Sequence, residues 1–326
     1  MKIGFIGLGN VGGKLAGSLL RNGVSLQVLD LHKSTAEPFL QGGASWGESP
    51  KQMAIDCDIV ITCLPNPAAS ANVLESEGGL LEGLSTGKIW LEMSTTDEAE
   101  VCRLGKLVRA TGAEAVDCPV SGGCHRADTG NIAIFAGCER PVFERLLPLL
   151  SKLGRRILHT GPLGSASVLK VVTNYLATAN LVAVSEALMT SKMAGMDMNT
   201  AYEAIKISSG TSFVHETESQ VILNGSRDIS FTMDLVLKDI GLFKDVADRA
   251  GVKLDIAPKL IEIFEDGQQR YGPREWSPNI IKRLEDACGE QVLAPGFPAQ
   301  MHDDEPEATG YEVIPTGSAR ATGKPQ

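Results

Sequence analysis

A short glycine-rich segment constrains the fold of this chain more than any other feature. The segment reads Gly7-Leu8-Gly9-Asn10-Val11-Gly12. It follows the apolar run 2–6, it opens an amphipathic stretch, and Asp30 closes the next apolar run. A strand, G-x-G-x-x-G, a helix and an acid at the end of a second strand together indicate a βαβ unit that binds a dinucleotide.

Each glycine of this segment has a physical role in such a unit. Gly7 permits a tight turn, Gly9 lets the backbone approach a pyrophosphate, and Gly12 lets the helix pack closely on the sheet. The N-terminus of the following helix attracts phosphates through its N–H groups and its dipole. All six residues of the segment are therefore predicted to contact the cofactor.

Asp30 indicates which dinucleotide is bound. A carboxylate at this position accepts hydrogen bonds from ribose hydroxyls and repels a 2′-phosphate, so NAD is predicted and NADP is the less favoured alternative. His32 and Lys33 lie close by in the sequence and could counter a phosphate, which keeps that alternative open.

The pattern of apolar runs predicts an α/β fold with a Rossmann-type doubly wound sheet, followed by helices. Seven strands are predicted, at 2–6, 26–29, 58–63, 88–92, 115–120, 131–136 and 156–159. They alternate with helical patterns, which is typical of βαβ units and a mostly parallel sheet. Residues 1–163 are predicted to form the dinucleotide-binding domain, 164–195 a long interdomain helix, 196–289 an all-α domain, and 290–326 a flexible acidic tail.

Composition restricts the partners and the compartment. The net charge is −10 without a Lys/Arg stripe, so nucleic acid is not expected as a partner. The seven cysteines include no Cys-x-x-Cys pair, which argues against a disulfide framework and a zinc site, and no metal is expected. No secretory signal and no uninterrupted run of about 20 apolar residues is present. A cytoplasmic protein without a membrane partner is predicted.

Four further motifs resemble those of one enzyme family. They are Asp117-Cys118-Pro119-Val120-Ser121-Gly122-Gly123 with Ala127 and Gly130, then Gly161-Pro162-Leu163-Gly164-Ser165-Ala166 with Lys170 and Asn174, then Met93-Ser94-Thr95-Thr96, and Lys238-Asp239. Taken in the order in which they occur along the chain, they resemble those of the β-hydroxyacid dehydrogenase family, which includes 3-hydroxyisobutyrate dehydrogenase. The resemblance covers roughly residues 1–288.

The resemblance implies that Lys170 is the catalytic group and that Asn174 binds substrate. The two residues are one i,i+4 step apart, so on a helix both project from one face toward one small molecule. A lysine partly desolvated beside a cationic nicotinamide ring loses its proton more readily, and it can then take the hydroxyl proton during oxidation.

The resemblance also implies a loop for the substrate carboxylate. Ser121, Gly122 and Gly123 follow a predicted strand end, where the glycines let backbone N–H groups converge on an anion. Cys124-His125-Arg126 stands where the family carries small or apolar residues, and Ala166 where a glycine is common. Arg126 could contact a second anionic group, although a solvent-facing side chain is favoured.

Further cofactor contacts are implied by the resemblance alone. They are Leu64, Pro65, Ser94, Thr95, Phe231 and Lys238. For Lys238, an ordinary helical charge pair with Asp239 is a close alternative.

The sequence thus predicts NAD-dependent hydride transfer between nicotinamide and a small anionic β-hydroxy acid or its semialdehyde. A 6-phosphogluconate-type decarboxylase is disfavoured because the α-domain is short and no basic cluster is evident. An imine reductase is disfavoured by Lys170, and a non-catalytic dinucleotide-binding module by the presence of both Lys170 and Asn174. The long apolar helix suggests a homo-oligomer, either a dimer or a tetramer.

Overall fold

The computed structural model describes residues 1–317 and consists of two compact units. The first comprises residues 1–170 together with the chain from 303 onward, and the second comprises 171–302. The boundary at residue 170 falls inside one long helix, Ser165–Met193.

The described part of the first unit forms one ten-stranded sheet. Its strands are β1 Lys2–Ile6, β2 Ser25–Leu29, β3 Ser45–Trp46, β4 Ile59–Thr62, β5 Ile89–Glu92, β6 Glu114–Asp117, β7 Val120–Ser121, β8 Ala133–Gly137, β9 Arg156–Gly161 and β10 Tyr311–Glu312. All seven predicted strands are present, within a few residues of their predicted bounds. The predicted strand at 115–120 is divided into β6 and β7.

The strand order indicates where on this sheet a ligand is expected to bind. Six strands run parallel in the order β3-β2-β1-β4-β5-β6, which is the order of a doubly wound dinucleotide-binding sheet. β8 lies antiparallel to β6, while β9 and β10 run parallel to β8. The order reverses between β1 and β4, and ligands bind outside the carboxyl ends of the strands at such a point.

Helices cover this sheet. They are α1 Asn10–Arg21, α2 Glu37–Gln41, α3 Pro50–Asp56, α4 Pro67–Glu75, α5 Glu98–Ala110, α6 Cys124–Asp128 and α7 Arg140–Leu150, with 3₁₀ turns at Lys33–Ala36 and Leu80–Glu82. The apolar stripe of α1 explains its position, because Leu15 and Leu19 are fully buried in the same cluster as Ile3 and Phe5 of β1.

The long helix α8, Ser165–Met193, carries the sequence from one unit into the other. Among the described residues it is long and apolar enough to cross a membrane by length and composition alone, which the sequence analysis did not anticipate. Its apolar window is 28% buried, and Leu181, Val184 and Leu188 of α8 belong to the hydrophobic cluster of the second unit.

The second unit is helical, as predicted. After α8 it contains α9 Met198–Lys206, α10 Phe213–Asn224, α11 Met233–Arg249, α12 Ile256–Tyr271, a 3₁₀ segment Ser277–Ile281 and α13 Lys282–Cys288. Buried side chains such as Val236 and Phe264 pack in one cluster, and a buried pair of Arg227 with Glu285 adds two hydrogen bonds of 2.7 Å.

The sequence analysis expected a flexible tail at 290–326, but most of the described part of this segment, 290–317, packs against the folded units. Ala294 N–H donates to the Leu223 carbonyl, and Phe297 contacts the Tyr202 ring edge-on, so this stretch packs on the second unit. From Asp303 the chain belongs to the first unit, and Tyr311–Glu312 of this segment form β10. Acidic composition suggested solvation, but these acids have specific hydrogen-bond partners in the fold. Residues 318–326 of the expected tail lie outside the described part of the chain.

Candidate active site

The glycine-rich loop between β1 and α1 combines two packing glycines with an open one. Gly7 has φ +98°, and a Cβ there would lie 2.3 Å from the Cys63 carbonyl oxygen. A Cβ on Gly12 would lie 2.1 Å from the Gly7 carbonyl oxygen. Gly9, the N-cap of α1, is different, because a Cβ there would meet no atom within 4 Å. The loop therefore leaves space in front of the helix N-terminus.

Asp30 is joined to this loop through the backbone. Leu8 N–H donates to Asp30 Oδ2 at 2.7 Å and His32 N–H donates to Oδ1 at 3.0 Å. The carboxylate is therefore fixed at the end of β2, beside the loop, and each oxygen retains a lone pair for a second donor. The Lys33 ammonium lies 5.3 Å from the centre of the Trp46 ring, in a cation–π contact.

The turns after β4 and β5 meet beside the same loop. Leu64 N–H donates to Ser94 Oγ at 2.7 Å, and a Cβ on Gly7 would lie 3.0 Å from Leu64 Cδ2. Pro65 and Thr95 follow in these two turns. The structure thus brings together the predicted contacts Leu64 and Ser94 with the glycine-rich loop.

Glu92, which the sequence analysis did not single out, holds the turn after β5 through a hydrogen bond. It closes β5, is fully buried, and accepts a 2.8 Å hydrogen bond from Ser94 N–H. Burial raises the pKa of its carboxyl, while hydrogen bonding to Ser94 opposes that shift.

The predicted carboxylate loop forms the start of a hairpin. Ser121 ends β7, which pairs with β8, and the next two residues both have positive φ, +128° at Gly122 and +88° at Gly123. A Cβ on Gly122 would lie 3.3 Å from Arg126 Cδ, and one on Gly123 would lie 2.8 Å from the His125 ring. The two side chains of α6 therefore lie over the glycines, and side chains are excluded from both positions.

Asp117 connects this loop to the helix of Lys170. Its buried carboxylate accepts hydrogen bonds from Gly164 N–H at 2.9 Å, from Ser167 N–H at 2.7 Å and from Ser167 Oγ at 3.0 Å. Burial raises the pKa of Asp117, and these hydrogen bonds oppose the shift. The carboxylate thus caps the N-terminus of α8, which favours negative charge. Lys170, one turn further along α8, is only 9% exposed.

The remaining predicted residues lie in the second unit and share a buried carboxylate. Asp239, which is 2% exposed, accepts a hydrogen bond from Asn174 Nδ2 and lies 2.9 Å from the ammonium of Lys238. The predicted substrate residue Asn174 and the predicted cofactor residue Lys238 are thereby held on one carboxylate. Phe231 lies in the segment before α11 and packs, partly buried, on the core of this unit.

One sequence signal could have identified two of these carboxylates. Glu92 closes an otherwise apolar strand and Asp117 closes β6, in the way that Asp30 follows β2. Acids at the carboxyl ends of parallel strands lie along the ligand-binding edge of the sheet. Asp239, by contrast, is one acid among several on α11, and its burial is decided by tertiary packing.

The first unit fits a dinucleotide. The open space at Gly9, the N-terminus of α1 and the fixed carboxylate of Asp30 lie together at the point where the strand order reverses. Over residues 1–317, no group of three or more His, Cys, Asp or Glu side chains is placed to hold a metal ion. Fold and site therefore define the class of proteins with a Rossmann-type dinucleotide-binding domain.

Comparison with known proteins narrows this class. The family described as the NAD-binding domain of 6-phosphogluconate dehydrogenase matches residues 2–161. The family described as NAD-binding of NADP-dependent 3-hydroxyisobutyrate dehydrogenase matches residues 164–284.

Individual relatives are similar over nearly their whole length. The chain is 33% identical over 293 residues to 2-(hydroxymethyl)glutarate dehydrogenase of Eubacterium barkeri, covering 90% of this chain and 97% of the relative. It is 31% identical to 3-sulfolactaldehyde reductase of Escherichia coli, covering 88% and 97%. The crystal structure of 3-hydroxyisobutyrate dehydrogenase from Salmonella typhimurium superposes with a TM-score of 0.80 at 25% identity, covering 87% and 99%. The chain belongs to the β-hydroxyacid dehydrogenase family.

Proposed function

We propose that this protein catalyses NAD-dependent hydride transfer between nicotinamide and a small β-hydroxy acid similar to 3-hydroxyisobutyrate, or its semialdehyde, with Lys170 as the general acid and base. The observation that carries the proposal is the role of Asp117. It ends β6, which precedes β7 and the carboxylate loop in the chain, and it caps the helix that bears Lys170. One buried carboxylate therefore fixes the spacing between the proposed anion-binding loop and the proposed proton-transfer group.

Each residue of the proposal has a defined task. Backbone N–H groups at Gly122 and Gly123, together with the Ser121 hydroxyl, bind the substrate carboxylate. Lys170 Nζ takes the hydroxyl proton during oxidation and returns it during reduction. Asn174, held by Asp239, orients the substrate hydroxyl. The cofactor, when bound, supplies the hydride acceptor or donor.

The identity of the acid depends on the residues around the carboxylate loop. The name of one relative, 2-(hydroxymethyl)glutarate dehydrogenase, specifies a substrate with a second carboxylate, and the name of another, 3-sulfolactaldehyde reductase, specifies a substrate whose anionic group is a sulfonate. Arg126 lies over Gly122 and carries a positive charge beside the loop. A hydroxy acid with a second anionic group is therefore included among the proposed substrates.

The test is a panel of substrates, and the turnover of each is measured from the absorbance of NADH. The panel contains 3-hydroxyisobutyrate, 3-hydroxypropionate, glycerate, serine, 2-(hydroxymethyl)glutarate and 2,3-dihydroxypropane-1-sulfonate, the alcohol that corresponds to 3-sulfolactaldehyde, with 6-phosphogluconate and a cyclic imine for the rival activities. We expect turnover of at least one 3-hydroxy acid with NAD⁺ and none of the two rival substrates. Turnover of a rival substrate alone, or tight NADH binding with no turnover, would overturn the proposal.

The proposed preference for NAD predicts the effect of Asp30→Ser. Loss of the carboxylate removes the ribose contact and the repulsion of a 2′-phosphate, so the ratio of kcat/KM for NAD⁺ over NADP⁺ falls by about 10- to 100-fold. Asp58→Ser is the matched control, because Asp58 also accepts a backbone N–H, from Lys2 at 2.8 Å, on an exposed part of the same unit. An unchanged ratio in Asp30→Ser would show that another residue selects the cofactor.

A further inference from the structure

The segment 303–313, called the C-terminal strap below, lies along the first unit. It follows the last residue of the second unit, and both family matches end before it, at residues 161 and 284. Its final residues form β10, which pairs in parallel with β9 at one edge of the sheet. The two ends and the middle of the strap each have distinct partners.

Asp303, the first residue of the strap, binds the segment 129–131, which lies between α6 and β8. Asp303 Oδ2 accepts a hydrogen bond from Thr129 Oγ1 and a second from Asn131 Nδ2, at 2.8 Å in the latter case. Asn131 Nδ2 also donates to the Glu305 carbonyl oxygen. Asn131 is fully buried, so these bonds join the strap to an ordered part of the unit.

The electrostatics of Asp303 agree with this arrangement. Burial raises the pKa of its carboxyl, but hydrogen bonds from Thr129 and Asn131 and the charge of Arg126 outweigh it, so the pKa is lowered overall. The ionised carboxylate therefore acts on α6 as well as on the residues that follow it.

The middle of the strap joins the same segment to the helix of the glycine-rich loop. Glu307 accepts a 2.9 Å hydrogen bond from Asn22 Nδ2 and lies 3.5 Å from Arg21 Nε, at the C-terminus of α1. It also lies against Gly130, where a Cβ would meet Glu307 Oε1 at 2.9 Å and where φ is +74°. A glycine is therefore required beneath the strap.

The far end of the strap is fixed independently. Glu312 forms a two-pronged pair with the Arg140 guanidinium, through Nη1 and through Nη2 at 2.9 Å. Val313 N–H donates to the Ile157 carbonyl oxygen at 2.7 Å. The strap is thus anchored on β9 and α7, and it reaches from there to the hairpin.

The hairpin has two limbs, β7 and β8, and the strap contacts the segment 129–131, which leads from α6 into β8. The first limb, β7, is held by pairing with β8, and the carboxylate loop with α6 lies between the limbs. His125 and Arg126 of α6 cover Gly122 and Gly123. Movement of the segment 129–131, which directly follows α6, would therefore move the side chains that cover the anion-binding backbone.

We propose that the C-terminal strap is a positioning element for substrate binding, in which Asp303 holds Thr129 and Asn131 so that α6 is fixed over the carboxylate loop. The identity of the substrate in this inference rests on the proposed function. The predicted change in hydrogen exchange at the loop does not depend on it. Asp303 is a positioning residue, because it acts through the hairpin and does not belong to the loop that binds the acid.

The experiment compares Asp303→Ala with Asp304→Ala in the full chain. Asp304 is the neighbouring acid and is exposed, so the control removes the same charge without the two hydrogen bonds. In Asp303→Ala we expect backbone amides 122–131 to exchange hydrogen at least about tenfold faster, because two hydrogen bonds to a charged group are lost. Amides of α5 should be unchanged in both variants.

The kinetic readout separates positioning from general destabilisation. We expect Asp303→Ala to raise KM for the hydroxy acid about tenfold, while kcat and the dissociation constant of NADH change less than about twofold. Asp303→Asn, which retains one acceptor oxygen but not the charge beside Arg126, should fall between Asp303→Ala and the wild type. Asp304→Ala should behave as wild type.

The outcomes distinguish the two proposals. If amides 122–131 exchange equally in Asp303→Ala and Asp304→Ala, the positioning role is wrong, whatever the enzyme acts on. If the wild type turns over a hydroxy acid and KM is the same in both variants, the role in substrate binding is also wrong. If the wild type turns over no hydroxy acid, the proposed function fails, and exchange at 122–131 still decides whether the strap holds the loop.

Discussion

Replacement of Lys170 by methionine is expected to lower kcat by about 10²- to 10⁴-fold, which is the usual contribution of a positioned acid or base. Methionine keeps most of the volume of this buried side chain but has no proton to exchange. NADH should still bind with a dissociation constant near that of the wild type, because the cofactor loop lies elsewhere in the first unit. Stopped-flow NADH absorbance and NADH fluorescence titration measure the two quantities.

Two further variants separate proton transfer from simple charge. Lys170→Arg keeps the positive charge but cannot lose its proton in a protein, so we expect it to be nearly as slow as Lys170→Met. Lys192→Met is the control on the same helix, roughly 33 Å further along at 1.5 Å per residue, where Lys192 lies 3.8 Å from Glu290. A fast arginine variant would mean that Lys170 acts through its charge alone.

Gly9→Val is expected to abolish cofactor binding without unfolding the protein. A Cβ at Gly9 meets no protein atom within 4 Å, and the backbone there, with φ −65° and ψ −165°, is open to any residue. Valine would instead occupy the space proposed for the pyrophosphate, and we expect the dissociation constant of NADH to rise roughly 100-fold or more. The loss of a good N-cap costs about 1 kcal/mol, so Tm should fall by only about 2–4 °C.

Two other glycines of the same helix calibrate this result. Gly12→Val places its Cβ against the Gly7 carbonyl oxygen. Because that oxygen is a backbone atom of the loop and cannot rotate away as a side chain can, we expect a much larger loss of Tm. Gly17→Ala meets its nearest atom, Arg21 Nη1, at an ordinary 3.5 Å and should be stabilising by up to about 1 kcal/mol with unchanged NADH affinity. If Gly9→Val binds NADH as tightly as Gly17→Ala does, the cofactor does not approach the loop at Gly9.

The sequence predicted those parts of the fold that depend on local patterns. The α/β class, the seven strands and the long helix follow from apolar periodicity, and β1 has the bounds predicted for it. β3 and β10 were missed, since each has only two residues and is defined by its neighbour in the sheet. The acidic composition after residue 290 predicted a solvated, flexible tail. The structure differs because composition does not show which hydrogen-bond partners an acid has in the folded chain.

The same distinction applies to the candidate site. The sequence alone predicted the glycine-rich loop and Asp30, because both depend on spacing within adjacent elements, and it predicted Lys170 and Asn174 through the resemblance to a family. Only the tertiary structure decided that Asp117 caps the helix of Lys170, that Asp239 holds Asn174 and Lys238, and that Asp303 reaches back across 172 residues to Asn131. Buried carboxylates need hydrogen-bond donors, and in a folded chain those donors come from whichever segment packs against them, which local sequence does not encode.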